Sequence, residues 1–235
     1  MPTVKGQVML DTPTGSIPLK YTVEQIPDNS DAQVAATINR MCQYVNEDCQ
    51  SYPIKHDAQV ALSADPSNPL GCVHNFVRSR MRFTQDEKIA QPYGWLLPRD
   101  GKDNYFVEAL KRPVDVSMEY AGTGEPVEGD CDDFSMYCAA LLKAIGIDCC
   151  FATVGANSEN PQVFSHVYCV AYCRGKRYAM DCSHGQYASW EVENKYGKFC
   201  EWPIYDRAGW SGVGVGLMLA GWYAWKHRGE IREMF

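Results

Sequence analysis

The stretch "GDCDDFSMYCAALLKAIGI" (residues 129–147) has the pattern of one amphipathic helix with both of its ends marked. Asp130 can accept hydrogen bonds as the N-cap, and Asp133 stands three residues further on, as in a capping box. An apolar stripe follows at helical spacing, and a glycine ends it: Phe134, Cys138, Leu141, Leu142, Ile145 and Gly146. We therefore predict a central, buried helix that begins at Cys131.

Cys131 falls at the first helical position, where unpaired N–H groups and the positive end of the helix dipole favour a thiolate. The thiolate is the nucleophilic form of cysteine, so this position suits covalent catalysis. Asp130, Asp132 and Asp133 act in the opposite direction, because nearby carboxylates disfavour a second negative charge. An activated thiol here therefore needs a histidine that can become positively charged.

The rest of the chain divides into helices before this segment and strands after it. Apolar residues at helical spacing predict helices over 28–50, 53–63, 68–86 and, broken at Pro113, within 104–120. Residues 84–104 are polar and predict a loop. Alternation predicts strands within 148–156 and 164–183, with "CRGK" as a hairpin turn. Helices followed by an antiparallel sheet define the α+β class.

The strand "FSHVYCVAY" supplies a histidine for the thiol. Its alternation places five residues on one face: Phe164, His166, Tyr168, Val170 and Tyr172. If residues 174–175 form the turn, Tyr168 lies opposite Asp181 and His166 is diagonal to it, about 7–8 Å away between backbones. A carboxylate and an imidazole can meet across that distance. An aspartate there would fix the tautomer of the histidine and stabilise its charged form.

Three segments together resemble the transglutaminase-like superfamily of papain-type thiol enzymes: "GDCDDFSMYCAALLKAIGI", "SHVYCVAY" and "AMDCSHG". The resemblance is specific over about 129–190. The helices from 31 to 82, with "YFVEALKRP", also resemble the segment that precedes the catalytic helix in bacterial and phage or prophage members. The resemblance implies an α+β, papain-like core with N-terminal helices, a central helix that carries the cysteine, and an antiparallel sheet.

The same resemblance implies that Cys131 is the nucleophile, His166 the general base and acid, and Asp181 the orienting carboxylate. His184, in "DCSHG", competes for the base role, but it falls after the strand, and we assign the base to His166. The family forms a thioester from a peptide or protein amide and passes the acyl group to an amine (transglutaminase) or to water (cysteine peptidase or amidase).

The oxyanion hole of such an enzyme would use the Cys131 N–H and one donor from upstream in the chain. In relatives this donor is often a Trp, Gln or Tyr. Trp95, Gln91 and Tyr120 are the candidates, and the sequence does not choose among them.

Composition limits the cofactors, partners and compartment. The net charge of −7 argues against nucleic acid as a partner, because phosphate binding requires a basic surface. The eleven cysteines are an odd number without a CxxC pair, and the chain opens without a signal-peptide pattern, so we predict reduced thiols in a bacterial cytoplasm, either host or phage-encoded. "DCDD" and "DCSH" offer Asp130, Asp132, Asp133 and His184 as metal ligands, but their spacing matches no metal motif, and we predict neither metal nor cofactor.

The segment "AGWSGVGVGLMLAGWYAW" (residues 208–225) is 18 residues long and carries no charge. It reaches the length of a transmembrane candidate and contains a GxxxG pair at Gly212 and Gly216. The alternative is packing against the domain or a neighbouring subunit, since glycines weaken a helix in water. We predict three parts: a β-hairpin element at 1–29, the catalytic domain at 30–205, and this tail at 206–235.

Two other functions compete with a thiol acyl-transfer enzyme. The first is a catalytically silent structural or interaction protein of a phage or prophage, associated with a membrane through its tail. The second is a cysteine-rich redox or metal protein. Thiol reactivity separates the enzyme from the silent protein, and metal content with thiol titration tests the redox or metal protein.

Overall fold

The computed structural model describes residues 3–12, 15–24, 30–86, 88, 109–194 and 196–205, and describes side chains from residue 31 onward. The described helices are α1 (Ser30–Asp48), α2 (Tyr52–Leu62), α3 (Pro69–Arg80), α4 (Pro113–Thr123) and α5 (Cys131–Ala144). The described strands are β1 (Thr3–Thr12), β2 (Gly15–Glu24), β3 (Met81–Phe83), β4 (Val127–Gly129), β5 (Asp148–Val154), β6 (His166–Cys173), β7 (Lys176–Met180) and β8 (Phe199–Pro203). The predicted α+β class is confirmed.

Helix α5 is the centre of the packing. It contacts α1, α2 and α3, and it also lies against β5 and β6 of the sheet. Met136, Tyr137 and Leu141 have no exposed surface. Gly146 has a φ of 76°, the left-handed conformation that ends a helix at low cost for glycine. The helix predicted from residues 129–147 is therefore present, buried and ended where the sequence indicated.

A four-stranded antiparallel sheet in the order β7-β6-β5-β8 packs against α5. The turn between β6 and β7 has φ values of 51° at Arg174 and 73° at Gly175. Positive φ at both central residues is typical of a type I′ hairpin turn. Cys173 pairs with Lys176, as predicted, and the ladder continues in that register to its last pair, one residue before Asp181.

A short strand, β3, replaces the end of the third predicted helix and pairs with β4. The helix predicted over 68–86 ends at Arg80, and Met81 has an extended backbone, with φ −127° and ψ 149°. Met81 begins β3, which pairs in parallel with β4. Met81 is buried in the strand. Its burial explains why this apolar residue also fits the spacing of the predicted helix. The β3–β4 pair leads the chain directly into α5.

Pro113 begins a helix, although the sequence pattern predicts that it breaks one. Residues 109–112 are not helical, and α4 runs from Pro113 to Thr123. The first residues of a helix donate no intrahelical hydrogen bond, so the missing N–H of proline costs nothing there. Strand β8 at the edge of the sheet was not predicted. The predicted loop over 84–104 falls almost entirely outside the described residues.

The predicted N-terminal hairpin is present. Strands β1 and β2 pair antiparallel from Thr3 with Glu24 to Thr12 with Gly15. The tail at 206–235 lies outside the described residues, and so does its apolar segment. Within the part of the chain that is described, no helix combines the length and apolar character needed to cross a membrane.

Candidate active site

The N-terminal end of α5 presents Cys131. Asp130 has an extended backbone and acts as the N-cap: its carboxylate accepts the N–H of Asp132 at 3.1 Å. Cys131 is half-buried, and its Sγ lies 3.4 Å from a carboxylate oxygen of Asp132. The predicted cap and the predicted position of the thiol at the first helical residue are both observed.

Asp133 fixes the first turn of α5 to the chain that enters α4. Its carboxylate accepts the backbone N–H of Lys111 at 2.6 Å and is almost completely buried. Burial raises the pKa of Asp133 well above its ordinary range, and the negative charge of Asp130 adds to that effect. The positive charge and N–H of Lys111 and the N–H of Asp130 offset part of the shift.

His166 and Asp181 form a bonded, buried pair. Nε2 of His166 lies 2.8 Å from Oδ2 of Asp181, with 8% and 0% of the two side chains exposed. The other carboxylate oxygen accepts the Ser183 hydroxyl at 2.9 Å and the His184 N–H at 3.0 Å. Because Asp181 holds Nε2, the second ring nitrogen, Nδ1, is left to exchange a proton with a reacting group.

Asp181 has two opposing influences on its charge. Burial alone would raise the pKa of its carboxyl, but the hydrogen bond from His166 and the charge of that ring outweigh it, with further bonds from His184 and Ser183. The net result is a pKa below the ordinary value of an aspartate. Asp181 is therefore an anion at neutral pH and can stabilise a positively charged imidazole.

Ser135 joins the helix start to the strand that carries His166. Its hydroxyl lies 2.6 Å from the carbonyl oxygen of Cys131 and 3.2 Å from that of Val167. Val167 directly follows His166, and Ser135 is buried. The first turn of α5 and the start of β6 are thus held against each other at the positions of the candidate nucleophile and base.

His184 lies beside the bonded pair. Its ring meets the His166 ring edge-on, with centroids 4.9 Å apart, and the Phe83 ring in the same manner at 4.9 Å. Its Nδ1 is 2.9 Å from the Ser183 hydroxyl, so its side chain reaches Asp181 through that serine. Burial lowers the pKa of His184, and the charge of His166 lowers it further. The structure therefore groups the two competing histidines in one site.

Arg78 of α3 supports the turn after β7, a role that no pattern in the sequence predicts. Its guanidinium donates to the carbonyl oxygens of Cys182 at 3.1 Å and Gly185 at 2.6 Å. A Cβ at Gly185 would lie 2.4 Å from the Asp181 carbonyl oxygen, so the tight turn requires glycine. Because both acceptors are backbone atoms, no residue type marks this interaction in the sequence.

Of the three candidates for the second oxyanion donor, only Tyr120 falls within the described residues. It lies on α4, half-buried, and the guanidinium carbon of Arg80 sits 3.7 Å from the centroid of its ring. Trp95 and Gln91 lie outside the described residues. The choice among the three stays open as a prediction.

The described residues contain three groups of potential metal ligands. In each group, one ligand atom per residue lies within 4.8 Å of the others. They are His166 with Asp181 and His184, Asp130 with Cys131 and Asp132, and Asp86 with Asp130 and Asp133. The four possible metal ligands named from the sequence therefore lie in different groups. His184 lies with His166 and Asp181, whereas Asp130, Asp132 and Asp133 lie at the start of α5. None of the eleven cysteines forms a disulfide.

No protein-family profile matches the chain, and no curated protein matches it. Two solved structures are similar to it. A proposed protease from Parabacteroides distasonis aligns over 87% of this chain with 13% identity and a TM-score of 0.42, and the chain spans 43% of that protein's length. A proposed cysteine protease from Cytophaga hutchinsonii aligns over 86% of this chain and 73% of its own, with 12% identity and a TM-score of 0.39. Similarity at this level bears on neither activity nor substrate.

Proposed function

We propose that this chain is a thiol acyl-transfer enzyme that acts on peptide or protein amides. Cys131 is the nucleophile, His166 the general base and acid, and Asp181 the carboxylate that orients the histidine. The observation that carries the proposal is the 2.8 Å bond between His166 and the fully buried Asp181. A structural protein does not need an ionised, fully buried aspartate bonded to a histidine, together with a thiol at the first position of a central helix.

The reaction proceeds in two halves. In the first, His166 Nδ1 takes the thiol proton, and the Cys131 sulfur attacks the amide carbonyl carbon to form a tetrahedral oxyanion. The C–N bond then breaks, the amine leaves with the proton from His166, and a thioester remains. In the second half, water or an amine gives a proton to His166 and attacks the thioester. The C–S bond breaks, and the thiol regains its proton.

Asp181 acts on the imidazole and not on the substrate. It holds Nε2, so Nδ1 is the ring position available to the thiol, and its negative charge stabilises the imidazolium that forms in each half-reaction. The bonds from Ser183 and the His184 N–H hold the carboxylate in one orientation. The buried Asp181 remains charged because these donors replace the water that it has lost.

Hydrolysis and transamidation use the same three residues. They differ in whether water or an amine reaches the thioester, which depends on the pocket for the acceptor. A single assay can address both outcomes: a peptide pool with glutamine and asparagine side chains is incubated with and without a primary amine, and products are read by mass spectrometry. A mass gain equal to the amine minus ammonia indicates transamidation, and cleavage or deamidation indicates hydrolysis.

The triad assignment is tested by three variants in that assay. Cys131→Ala should abolish turnover and keep the fold, because one small, half-buried thiol contributes little packing energy. His166→Ala should give the same loss. His184→Ala should keep turnover, since the bond to Asp181 comes from its backbone N–H. Circular dichroism and thermal unfolding check the fold of each variant. Full activity in Cys131→Ala would refute the mechanism.

A further inference from the structure

The side chains of His166, Asp181 and His184 converge on one point. One ligand atom of each lies within 4.8 Å of the other two. They come from adjacent parts of the fold: His166 opens β6, Asp181 follows β7, and His184 lies in the turn after it. The proposed reaction uses His166 and Asp181, and leaves the His184 imidazole without a role.

We propose that these three side chains form a binding site for Zn²⁺, which inhibits the enzyme by occupying His166. The ligands are Nε2 of His166, one carboxylate oxygen of Asp181 and a ring nitrogen of His184, with the fourth position open. The inhibition rests on the function proposed above, whereas the binding of the metal does not.

The distances suit a tetrahedral ion. Zinc binds imidazole nitrogen and carboxylate oxygen at about 2.0–2.2 Å, so two ligand atoms on one ion lie about 3.3 Å apart. Nε2 of His166 and Oδ2 of Asp181 are 2.8 Å apart, and one ligand atom of each of the three residues lies within 4.8 Å of the other two. The two imidazole rings are nearly perpendicular, at 86°, which lets them approach one point from different directions. Small rotations of the side chains complete the site.

The surroundings orient the ligands, as metal sites require. Ser183 and the His184 N–H hold the second oxygen of Asp181. The Tyr168 ring stacks on His166 with centroids 5.9 Å apart, and Phe83 meets His184 edge-on. These contacts limit the orientations of both rings, so an ion at this point would find ligands that are already nearly in place.

A zinc ion at Nε2 and an active His166 exclude each other. With the metal on Nε2, the neutral ring carries its proton on Nδ1. That nitrogen then has no lone pair to accept the thiol proton of Cys131. The ion also takes Asp181 as a ligand and thereby removes its bond to the imidazole. Metal binding therefore stops the first half-reaction without any contact to the substrate.

The binding is tested by calorimetric titration of the full chain with ZnCl₂, in the Cys131→Ala background so that this thiol cannot bind the metal. We expect one site that loses at least tenfold in affinity when His184→Ala, or separately His184→Gln, is added. The matched control is His56→Ala: His56 is also a histidine beside an aspartate, with its Nδ1 3.7 Å from Asp57 and 57% of its side chain exposed. It should leave the affinity unchanged.

Each outcome decides the proposal. Absence of zinc binding, or equal affinity with and without His184, overturns the site. The site is supported if the affinity for Zn²⁺ falls when His184 is replaced and does not fall in His56→Ala. The d–d absorption of Co²⁺ bound at the same site should also disappear in His184→Ala and His184→Gln. In the wild-type enzyme, zinc should lower the rate of turnover, and excess EDTA should restore that rate. Since Cys131→Ala is inactive by design, a failure of the proposed activity leaves the binding result interpretable.

Discussion

Asp133 is a carboxylate that the fold keeps at an energetic cost. It is 1% exposed, and burial raises its pKa well above the ordinary range. Below the pKa of the unfolded state, about 3.9, both states bind the proton. As the pH rises from there towards the folded pKa, the unfolded chain loses the proton and the folded chain keeps it. Asp133 therefore lowers the stability of the protein progressively as the pH rises through this window.

We predict that Asp133→Asn gains stability relative to the wild type as the pH rises from 4 to 7. The slope can reach about 1.4 kcal/mol per pH unit within the window, because one proton is exchanged on unfolding. Urea denaturation at several pH values measures the difference in the free energy of unfolding.

Asp65→Asn is the control with the opposite sign. Asp65 is exposed, and its pKa is lowered by the hydroxyl and backbone N–H of Ser67. It contributes stability above its unfolded pKa and loses it as the pH falls. The free energy of unfolding of Asp65→Asn, relative to that of the wild type, should therefore decrease as the pH rises. A constant or falling difference for Asp133→Asn would contradict the account of the helix cap.

At the scale of secondary-structure elements, the proposed reaction depends on the contact of α5, which begins at Cys131, with β6, which begins at His166. Ser135 is the side chain that connects the two backbones, through the carbonyl oxygens of Cys131 and Val167. A displacement of about 1 Å in a reacting group can reduce the rate by about a hundredfold. Ser135 is thus a positioning residue for the proposed reaction.

We predict that Ser135→Ala lowers kcat by about tenfold to a hundredfold and leaves KM nearly unchanged. Loss of one buried hydroxyl should lower the free energy of unfolding by only about 1–2 kcal/mol. Ser79→Ala is the matched control: its hydroxyl also donates to a helix carbonyl, at 2.7 Å from Phe76, but it is exposed on α3. Equal activity losses in the two variants would count against a positioning role.

The sequence predicts the elements whose signals are local. The cap at Asp130, the stop at Gly146 and the turn at residues 174–175 each depend on neighbouring residues. That turn fixed the register, and the register brought His166 and Asp181 together. Strands β3 and β4 could not be found this way, since three residues contain no periodic pattern and the two partners are distant in the chain.

The supporting side chains of the site were harder to predict than its three candidate catalytic residues. Arg78 and Ser135 both bond to backbone carbonyl oxygens, which every residue has, so no partner residue type reveals them. Pro113 shows a different limit: the same residue breaks a helix in its interior and suits its first turn, and only the position of the helix start distinguishes the two.

At the scale of the whole molecule, an ion pair fixes α1 to the start of α4. Nε of Arg112 lies 3.2 Å from Asp48, a second guanidinium nitrogen also bonds that carboxylate, and the Val114 N–H donates to it at 3.2 Å. Asp48 is 3% exposed. Removing Asp48 takes away a buried partner of Arg112, whose guanidinium then keeps only the more exposed Glu47 carboxylate, 3.0 Å away, among its ion pairs with described residues. Breaking a buried ion pair in this way costs more than the pair is worth in stability.

We predict that Asp48→Asn lowers the free energy of unfolding by about 2–4 kcal/mol, towards the lower end because Arg112 is partly exposed. Glu128→Gln is the control: it removes a pair with Arg82 in which 47% and 62% of the side chains are exposed. That change should cost less than about 1 kcal/mol. Both free energies are obtained from urea denaturation. Similar decreases in the two variants would show that the burial of Asp48 does not determine how much the pair contributes to stability.

The central claim is that His166 activates Cys131, and the surrounding thiols make it measurable in one protein. Burial raises the pKa of Cys42 and of Cys150 to about 12, so neither reacts readily at neutral pH. Cys173, half-buried beside the β6–β7 turn, serves as an internal reference thiol. The rate of iodoacetamide labelling at each cysteine can be read separately by peptide mass spectrometry.

The measurement is the pH dependence of this labelling, from pH 5 to 9, in the wild type and in His166→Ala. We predict that labelling of Cys131 stays fast below pH 7 in the wild type and slows sharply in the variant, while Cys173 behaves alike in both. If Cys131 instead follows an ordinary thiol, with a midpoint near ~8.5, and is indifferent to His166, the thiol-enzyme account is contradicted and a catalytically silent protein is favoured.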